Sequence, residues 1–195
     1  MQVTLNHHTG LEHIISGIRI CWKSQDKSDN GGPKDIALIK RIALKLKHSS
    51  VLRHSLYVFN CQASTKTLLA FTRHSVGVNF GVESTRYTTS KQGSSISFTP
   101  SRSDFVNERL DKVLVMVHEC IKQGISDDDI ALLLPQAYNY TFQVSMNAQA
   151  LQHFFQLRGG VGSHAHYDIN SLANAMFECL PSEQKFLFDH CIQHD

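Results

Sequence analysis

The feature that most constrains the fold is an alternating segment that runs directly into a segment with helical periodicity. Residues 137–146 read AYNYTFQVSM, in which apolar and polar side chains alternate, and residues 147–158 read NAQALQHFFQLR. In the second segment the apolar side chains recur at the spacing of one helix face: Leu151, Phe154, Phe155 and Leu157. Because side chains repeat every two residues in a strand and every 3.6 in a helix, the pattern predicts a strand followed at once by a helix.

The rest of the chain predicts more helices than strands. The segment 55–64 also alternates and predicts a second strand, while loops are predicted over 24–35 and 88–103, which are rich in Gly, Pro, Ser or Thr. Helices are predicted over 11–22, 36–48, 65–74, about 104–123, 126–134, 147–158 and 163–180, and from Ser182 onwards. Asp35 is placed to cap the helix at 36–48, and GGVG at 159–162 is expected to break the chain. The predicted fold class is α/β (α+β), with helices in the majority.

Length, charge and hydrophobicity exclude several classes of protein. A chain of 195 residues suits one domain, which we place over 1–195. Its formal net charge of +2 is too small for the dense basic stripe of a nucleic-acid-binding domain, so no nucleic-acid partner is expected. Apolar runs fall far short of the ~20 residues that a membrane span needs, so no membrane association is expected either.

The cysteines and histidines show no pattern of disulfides or metal ligands. The five cysteines never form a CxxC motif, and their number is odd. The N-terminus lacks the apolar core of a signal peptide, so reduced thiols in a cytoplasmic protein are the favoured interpretation. The twelve histidines are scattered along the chain without the clustered spacing of metal ligands, and no metal is expected.

A basic, glycine-containing stretch is the strongest candidate for a binding site. Residues 72–91 read TRHSVGVNFGVESTRYTTSK and place Arg73 and Arg86 around two glycines. Guanidinium groups and backbone amides near glycines suit phosphate or carboxylate ligands. In the alternative interpretation both arginines face solvent or pair with Glu83 and Asp104. No GxGxxG, Walker or GxSxG motif accompanies the stretch, so the pattern alone does not decide between the two.

The same residues resemble a known family. RHS at 73–75, followed by ESTRY at 83–87, resembles the signature of flavin-dependent thymidylate synthases (ThyX-like), which reads Arg-His-Arg, seven residues, Ser, one residue, Arg-Tyr. Other segments are similar to that family in the family's order: 18–42, 47–59, 132–158 and 163–176. The similarity therefore covers nearly the whole chain. It implies a helix-rich fold with a central sheet.

The resemblance also implies an activity. Family members reductively methylate dUMP to dTMP, with methylenetetrahydrofolate as carbon donor and NADPH as electron donor through FAD, and they use no cysteine nucleophile. They assemble as homotetramers with active sites at subunit junctions. We therefore expect FAD as cofactor, dUMP or a related uracil nucleotide as substrate, and a homotetramer.

Carried over position by position, the resemblance assigns site residues. Arg158 is assigned to catalysis, as the arginine that contacts the uracil and favours loss of its N3 proton. The residues assigned to FAD are His48, Ser50, Arg73, His74, Ser75, Asn147, Gln149 and His153. The residues assigned to the nucleotide are Arg73, Glu83, Ser84, Thr85, Arg86 and Arg158. Ordinary structural roles remain alternatives for several of them, such as a helix cap for Asn147 and a helix C-terminal cation for Arg158.

The chain departs from the family pattern where cations are expected. Ser75, Gln149 and Ala131 stand at positions where the family carries arginine or another basic residue, and eight residues rather than seven separate Ser75 from Ser84. Arg53, at a position where relatives often carry Glu, is a candidate for restoring charge, as is Lys91. These changes leave two alternatives open beside the thymidylate synthase. One is an enzyme that acts on another uracil nucleotide, and the other is a non-catalytic nucleotide-binding or regulatory paralogue.

Overall fold

The computed structural model of the chain describes residues 1–160 and 163–192. Its strands are β1 (Gln2–His8), β2 (Tyr57–Ser64), β3 (Val78–Val82) and β4 (Asn139–Met146). Its α-helices are α1 (Glu12–Cys21), α2 (Pro33–Ile39), α3 (Thr65–Phe71), α4 (Thr85–Gln92), α5 (Asp104–Lys122), α6 (Asp127–Ala131), α7 (Ala148–Arg158) and α8 (Tyr167–Glu178). A π-helical segment, Lys40–Lys45, continues α2, and a 3₁₀ segment, Ser49–His54, precedes β2.

The four strands form one sheet in the order β1-β2-β4-β3. Backbone hydrogen bonds join the end of one strand region to the start of its neighbour in each pair: Thr9 to Leu56 (2.9 Å), Thr65 to Tyr138 (2.8 Å) and Asn147 to Gly77 (3.3 Å). Neighbouring strands are therefore antiparallel. The predicted class, a helix-rich mixture of helices and a sheet, is confirmed.

Several predicted elements differ from the structure. The strands β1 and β3 were not predicted. Their apolar alternation is short, Val3 and Leu5 in β1 and Val78, Phe80 and Val82 in β3, and of these side chains only Val78 is buried. The predicted loop over 88–103 is wrong at its start, since α4 extends to Gln92. A helix from Ser182 is also wrong: two 3₁₀ turns, Lys185–Leu187 and Asp189–Cys191, take its place.

Two helix starts also differ from the prediction. The helix predicted over 163–180 begins only at Tyr167, after a cap in which His166 accepts a hydrogen bond from the Asp168 backbone. The predicted break begins at Gly159, where α7 has ended, while 161 and 162 lie outside the described residues. Asp35 does not cap its helix, because α2 already begins at Pro33 with Gly32 at the N-cap.

The chain divides into two compact units. The first comprises Met1–Gln2, Cys61–Arg73 and Gly81–Phe142, and the second comprises Val3–Asn60, His74–Phe80 and Gln143–Asp195. In the first unit, the buried side chains of Ile96, Val117, Ile130 and Tyr138 form one apolar cluster. This cluster holds α5 and α6 together.

Aromatic rings form much of the core of the second unit. The Phe155 ring lies 5.9 Å from the Phe177 ring and 5.6 Å from the Phe188 ring. Tyr57 packs on Phe188 at 5.6 Å, and its hydroxyl donates to Gln184 Oε1 at 2.6 Å. Since edge-to-face aromatic pairs are directional, these contacts fix the rotation of α7 about its own axis. Phe155 lies on the inward face of α7 as predicted.

A buried ion pair ties α1 to the start of α2 in the second unit. Arg19 Nε donates to Asp35 Oδ1 at 2.7 Å, and both side chains are almost completely buried. Burial alone would raise the pKa of Asp35, but hydrogen bonds from Ser28, Gly31 and Arg19 outweigh it and lower the pKa to about 2. The carboxylate is therefore charged at neutral pH and satisfied on both oxygens.

Asp35→Asn is expected to lower the free energy of unfolding by about 3–5 kcal/mol at pH 7, because it leaves a buried guanidinium without its counter-charge. The native pKa lies below the unfolded value of 3.8, so the unfolded state takes up the proton first. Wild-type stability from this carboxylate is thus present above about pH 4 and falls towards pH 2. Urea unfolding at pH 7, 4 and 3 measures both effects. The exposed Asp111→Asn is the control, and equal stability of the two variants would contradict the prediction.

Candidate active site

Helix α7 begins at a doubly fixed residue. Asn147 is its N-cap, and the side-chain oxygen accepts a hydrogen bond from the Ala150 backbone at 2.9 Å. The same side chain lies against Gly77, where an added Cβ would come within 2.3 Å of the amide nitrogen of Asn147. Gly77 has a positive φ of 72°, so glycine is favoured there for both reasons. The turn at 74–77 is thereby packed against the start of α7.

The C-terminal end of α7 meets the same turn through a histidine. Arg158 Nε donates to His74 Nε2 at 3.2 Å. The His74 ring packs edge-on against Phe154 at 5.2 Å and lies 5.7 Å from the ring of His153. The Arg158 carbonyl accepts a hydrogen bond from Asn170 of α8 at 2.9 Å. The structure therefore brings three predicted site residues, His74, His153 and Arg158, into one cluster.

His74 is held in its neutral form. Burial, followed by the positive charge of Arg158 and the neighbouring His153, lowers the pKa of His74 from 6.5 to about 4. A neutral imidazole can accept a hydrogen bond from a guanidinium, whereas an imidazolium cannot. At neutral pH the guanidinium thus remains the only charge of the pair.

A second group of predicted residues gathers between the 3₁₀ segment and α7. Gln149 accepts a hydrogen bond from Arg53 Nε at 2.6 Å and donates one to Ser49 Oγ at 2.7 Å. His48 and Ser50, on either side of Ser49, are exposed. Arg53, named above as a candidate for restoring charge, contacts the residue at position 149 where a family arginine is absent.

A cavity of about 420 Å³ opens beside these residues, within the second unit. Its lining consists of Ala43, Leu44, Lys47, Ser49, Gln149, Gln152, His153, Gln156 and His190. The lining offers ammonium, hydroxyl, amide and imidazole groups and contains no carboxylate. Such donors suit a ligand that carries negative charge.

Several of these lining residues were not predicted from the sequence. Ala43 and Leu44 belong to the π-helical segment, a form found often at functional sites, and Lys47 follows with a positive φ of 57°. Lys47 and Ser49 flank the predicted His48, so their neighbourhood in sequence was a usable signal. His190 carries no such signal, because it reaches the cavity through the packing of the C-terminal turns.

Of the six residues predicted to bind the nucleotide, all except Arg158 lie in the first unit. Glu83 accepts a hydrogen bond from the Thr141 backbone at 2.9 Å, and Ser84 is the exposed N-cap of α4. Thr85 is half-buried in the first turn of that helix.

Arg86 is paired, although with neither of the two residues considered from the sequence. It donates to Asp128 of α6 from Nε at 2.9 Å and from Nη2 at 3.2 Å. Both side chains of this pair are well exposed, at 63% and 59%. Glu83 and Asp104 are therefore not its partners, and an exposed pair of this kind is easily exchanged for another anion.

The remaining predicted residues are open to solvent. Arg73, in the first unit, and Ser75, in the second, are exposed on either side of the buried His74. On α7, Leu157 was predicted to face inward but is 48% exposed. Its position next to Arg158 places it at the end of the helix, beyond the aromatic core.

Residues 1–160 and 163–192 contain neither a metal-binding cluster nor a disulfide. No group of three or more His, Cys, Asp or Glu side chains there is arranged to hold a metal ion. None of the five cysteines forms a disulfide. Within the same ranges, no helix combines the length and apolar character required to cross a membrane.

The sequence matches a family of known proteins along most of its length. The family described as thymidylate synthase complementing protein matches residues 4–183. The flavin-dependent thymidylate synthase of Campylobacter jejuni strain RM1221 is 35% identical over 207 residues, which cover 100% of this chain and 99% of the relative. That of Wolinella succinogenes is 35% identical over 201 residues, covering 96% and 97%.

The fold agrees with a solved structure of the same kind. The crystal structure of thymidylate synthase X from Helicobacter pylori with FAD and dUMP superimposes with a TM-score of 0.89 at 29% identity, covering 100% of both chains. Sequence and fold thus agree over the full length of the chain, including the segments that carry His74 and Arg158. The chain belongs to the flavin-dependent thymidylate synthase family.

Proposed function

We infer that this protein is a flavin-dependent thymidylate synthase, which converts dUMP to dTMP with FAD as cofactor and with NADPH and methylenetetrahydrofolate as co-substrates. Full-length relatives with this name, together with the Helicobacter pylori structure that holds FAD and dUMP, support the assignment. The observation that carries it is the contact between Arg158 and a neutral His74 at the end of α7, in a chain of this family.

The donor set of the second unit fits a flavin nucleotide. The cavity beside α7 presents amide, hydroxyl and imidazole groups and no carboxylate, which suits a ligand with a negatively charged diphosphate. Residues proposed to hold FAD are His48, Ser50, Arg73, His74, Ser75, Asn147, Gln149 and His153. When bound, FAD supplies hydride chemistry with electrons from NADPH.

We propose that Arg158 acts on the uracil ring of the substrate. A guanidinium stays charged at any useful pH, so it stabilises negative charge that develops on the base after loss of the N3 proton. His74 and Asn170 hold this arginine from two sides, one at the side chain and one at the backbone carbonyl. Such positioning reduces the reorganisation needed when the charge forms.

The nucleotide-binding role is proposed for the first unit. Arg73, Glu83, Ser84, Thr85 and Arg86 would contact dUMP. The Arg86 pair with Asp128 is exposed, so a phosphate can replace the carboxylate at little cost. We further propose a homotetramer and a cytoplasmic location, the latter supported by five free thiols.

A second candidate, an enzyme for another uracil nucleotide, is favoured by one observation. Ala131, at the end of α6, supplies no cation at a position where the family carries a basic residue. A panel of uridine nucleotides, with product identified by mass, separates the two candidates. The highest kcat/KM with dUMP would exclude this second one.

The purified protein is expected to bind FAD with flavin absorbance bands and to form dTMP from dUMP when both co-substrates are present. Arg158→Ala is expected to lower kcat by about 100-fold or more, since it removes the charge that stabilises the transition state. The melting temperature should change little. Arg41→Gln, which removes an exposed arginine of the second unit, is the control. Turnover by Arg158→Ala within twofold of wild type would contradict the role.

His74 is expected to stay neutral down to about pH 4, as followed by NMR titration of its imidazole. Arg158→Gln should raise the pKa of His74 only in part, because burial is the larger cause of the shift. The unfolded histidine takes up its proton near pH 6.5, so the native state should lose stability as pH falls from there. A His74 pKa at its ordinary value in the wild type would contradict the assignment.

Arg86→Lys is expected to raise the KM for dUMP by about 10-fold, because lysine cannot form the two parallel hydrogen bonds of a guanidinium. Asp128→Asn should lower that KM or leave it unchanged, since it removes the competing carboxylate. Steady-state kinetics measure both, with Asp111→Asn as the control. A KM for Asp128→Asn as high as that of Arg86→Lys would show that Asp128 positions the arginine rather than competing for it.

A further inference from the structure

Arg53 has a fixed and unusual environment for an exposed cation. Its Nε donates to Gln149 Oε1 at 2.6 Å, across 96 positions of sequence. Over the described ranges, 1–160 and 163–192, no carboxylate forms an ion pair with this guanidinium. Among those residues its partner is a neutral amide, and no carboxylate there offsets its charge.

The acceptor of this bond is itself fixed. Gln149 donates from Nε2 to Ser49 Oγ at 2.7 Å, so its amide cannot rotate without losing both bonds. Ser49 and Gln149 also line the cavity of about 420 Å³ beside α7. The chain of bonds from Arg53 through Gln149 to Ser49 thus connects a guanidinium to two residues that line a cavity without a carboxylate.

We propose that Arg53 is a phosphate-binding residue of the cofactor site, an inference that rests on the proposed function. With Nε engaged by Gln149, the two terminal nitrogens remain as donors for a pair of phosphate oxygens. Gln149 is neutral and supplies no charge of its own, so its role is to position the arginine. The ligand class is a dinucleotide with a diphosphate, and the recognition is of phosphate rather than of the isoalloxazine ring.

A purely structural bond between the 3₁₀ segment and α7 makes different predictions from a phosphate contact. If the bond is structural, its loss would weaken the binding of every flavin alike and would lower the stability of the protein without ligand. If Arg53 contacts phosphate, its loss would weaken the binding of only those flavins that carry phosphate, and the contact itself would weaken as salt concentration rises. Flavins that differ in phosphate content therefore separate the two roles.

The experiment measures dissociation constants for FAD, FMN and riboflavin by flavin fluorescence at low and high salt. Arg53→Gln is expected to weaken FAD binding by about 10-fold or more, with riboflavin affinity changed less than about twofold. The FAD affinity of Arg53→Lys should lie between those of the wild type and Arg53→Gln, since lysine keeps the charge but lacks the planar guanidinium. Arg41 is an exposed arginine on the π-helical segment, which also contributes to the lining of this cavity. The control variant Arg41→Gln should therefore bind all three flavins as the wild type does.

A double variant that exchanges the two side chains tests whether FAD affinity depends on a guanidinium at this hydrogen bond. Arg53→Gln with Gln149→Arg moves the guanidinium across the same hydrogen bond and should recover most of the FAD affinity. Melting temperatures without ligand identify any variant that fails to fold. If Arg53→Gln weakens the binding of FAD and riboflavin equally, or leaves FAD affinity unchanged, the inference about Arg53 is wrong, while the proposed function is unaffected. A wild-type protein that binds no flavin would overturn the proposed function and the inference with it.

Discussion

Burial of one face of α7 is the constraint on which the rest of the candidate site depends. Phe154 and Phe155 are completely buried, and the rings around Phe155 fix the rotation of the helix. With that rotation, Gln149 and His153 line the cavity, and Arg158 donates a hydrogen bond to His74. The asparagine cap at 147 then fixes where the helix starts. The apolar core and the polar site are therefore two faces of one helix, and a change in packing on one face moves the groups on the other.

Neutral His74 gives the cluster its chemical character. A charged imidazole beside Arg158 would repel the guanidinium and supply no acceptor. Burial against Phe154 opposes that charge, and Arg158 itself opposes it further. The same apolar contact that stabilises the turn at 74–77 thus keeps the positive charge on the arginine. The end of α7 therefore carries one cation, Arg158, rather than two adjacent cations that repel each other.

The sequence predicts the framework well where burial leaves a periodic pattern. The strand at 137–146 and the helix after it are recovered because both bury one face, as Phe142, Val144 and Phe154 show. Strands β1 and β3 also alternate, but over only a few residues that are mostly not buried, and so short a pattern does not by itself indicate a strand. The individual site positions came from the family resemblance. Their contacts, such as Arg86 with Asp128, join residues remote in sequence, and spacing along the chain carries no information about them.

The phosphate-binding role proposed for Arg53 would let the site lack an arginine at 149 and still keep one positive charge. The resemblance places an arginine at 149, yet the amide found there accepts from a guanidinium supplied by the 3₁₀ segment. Position 149 itself carries no cation, whereas Arg53 supplies one on the other side of the same hydrogen bond. Electrostatic attraction to a phosphate depends on where the charge lies and not on which element carries it. In the proposed arrangement the positive charge comes from the 3₁₀ segment instead of from α7, and the hydrogen bond to Gln149 keeps it next to the position where the resemblance expects it.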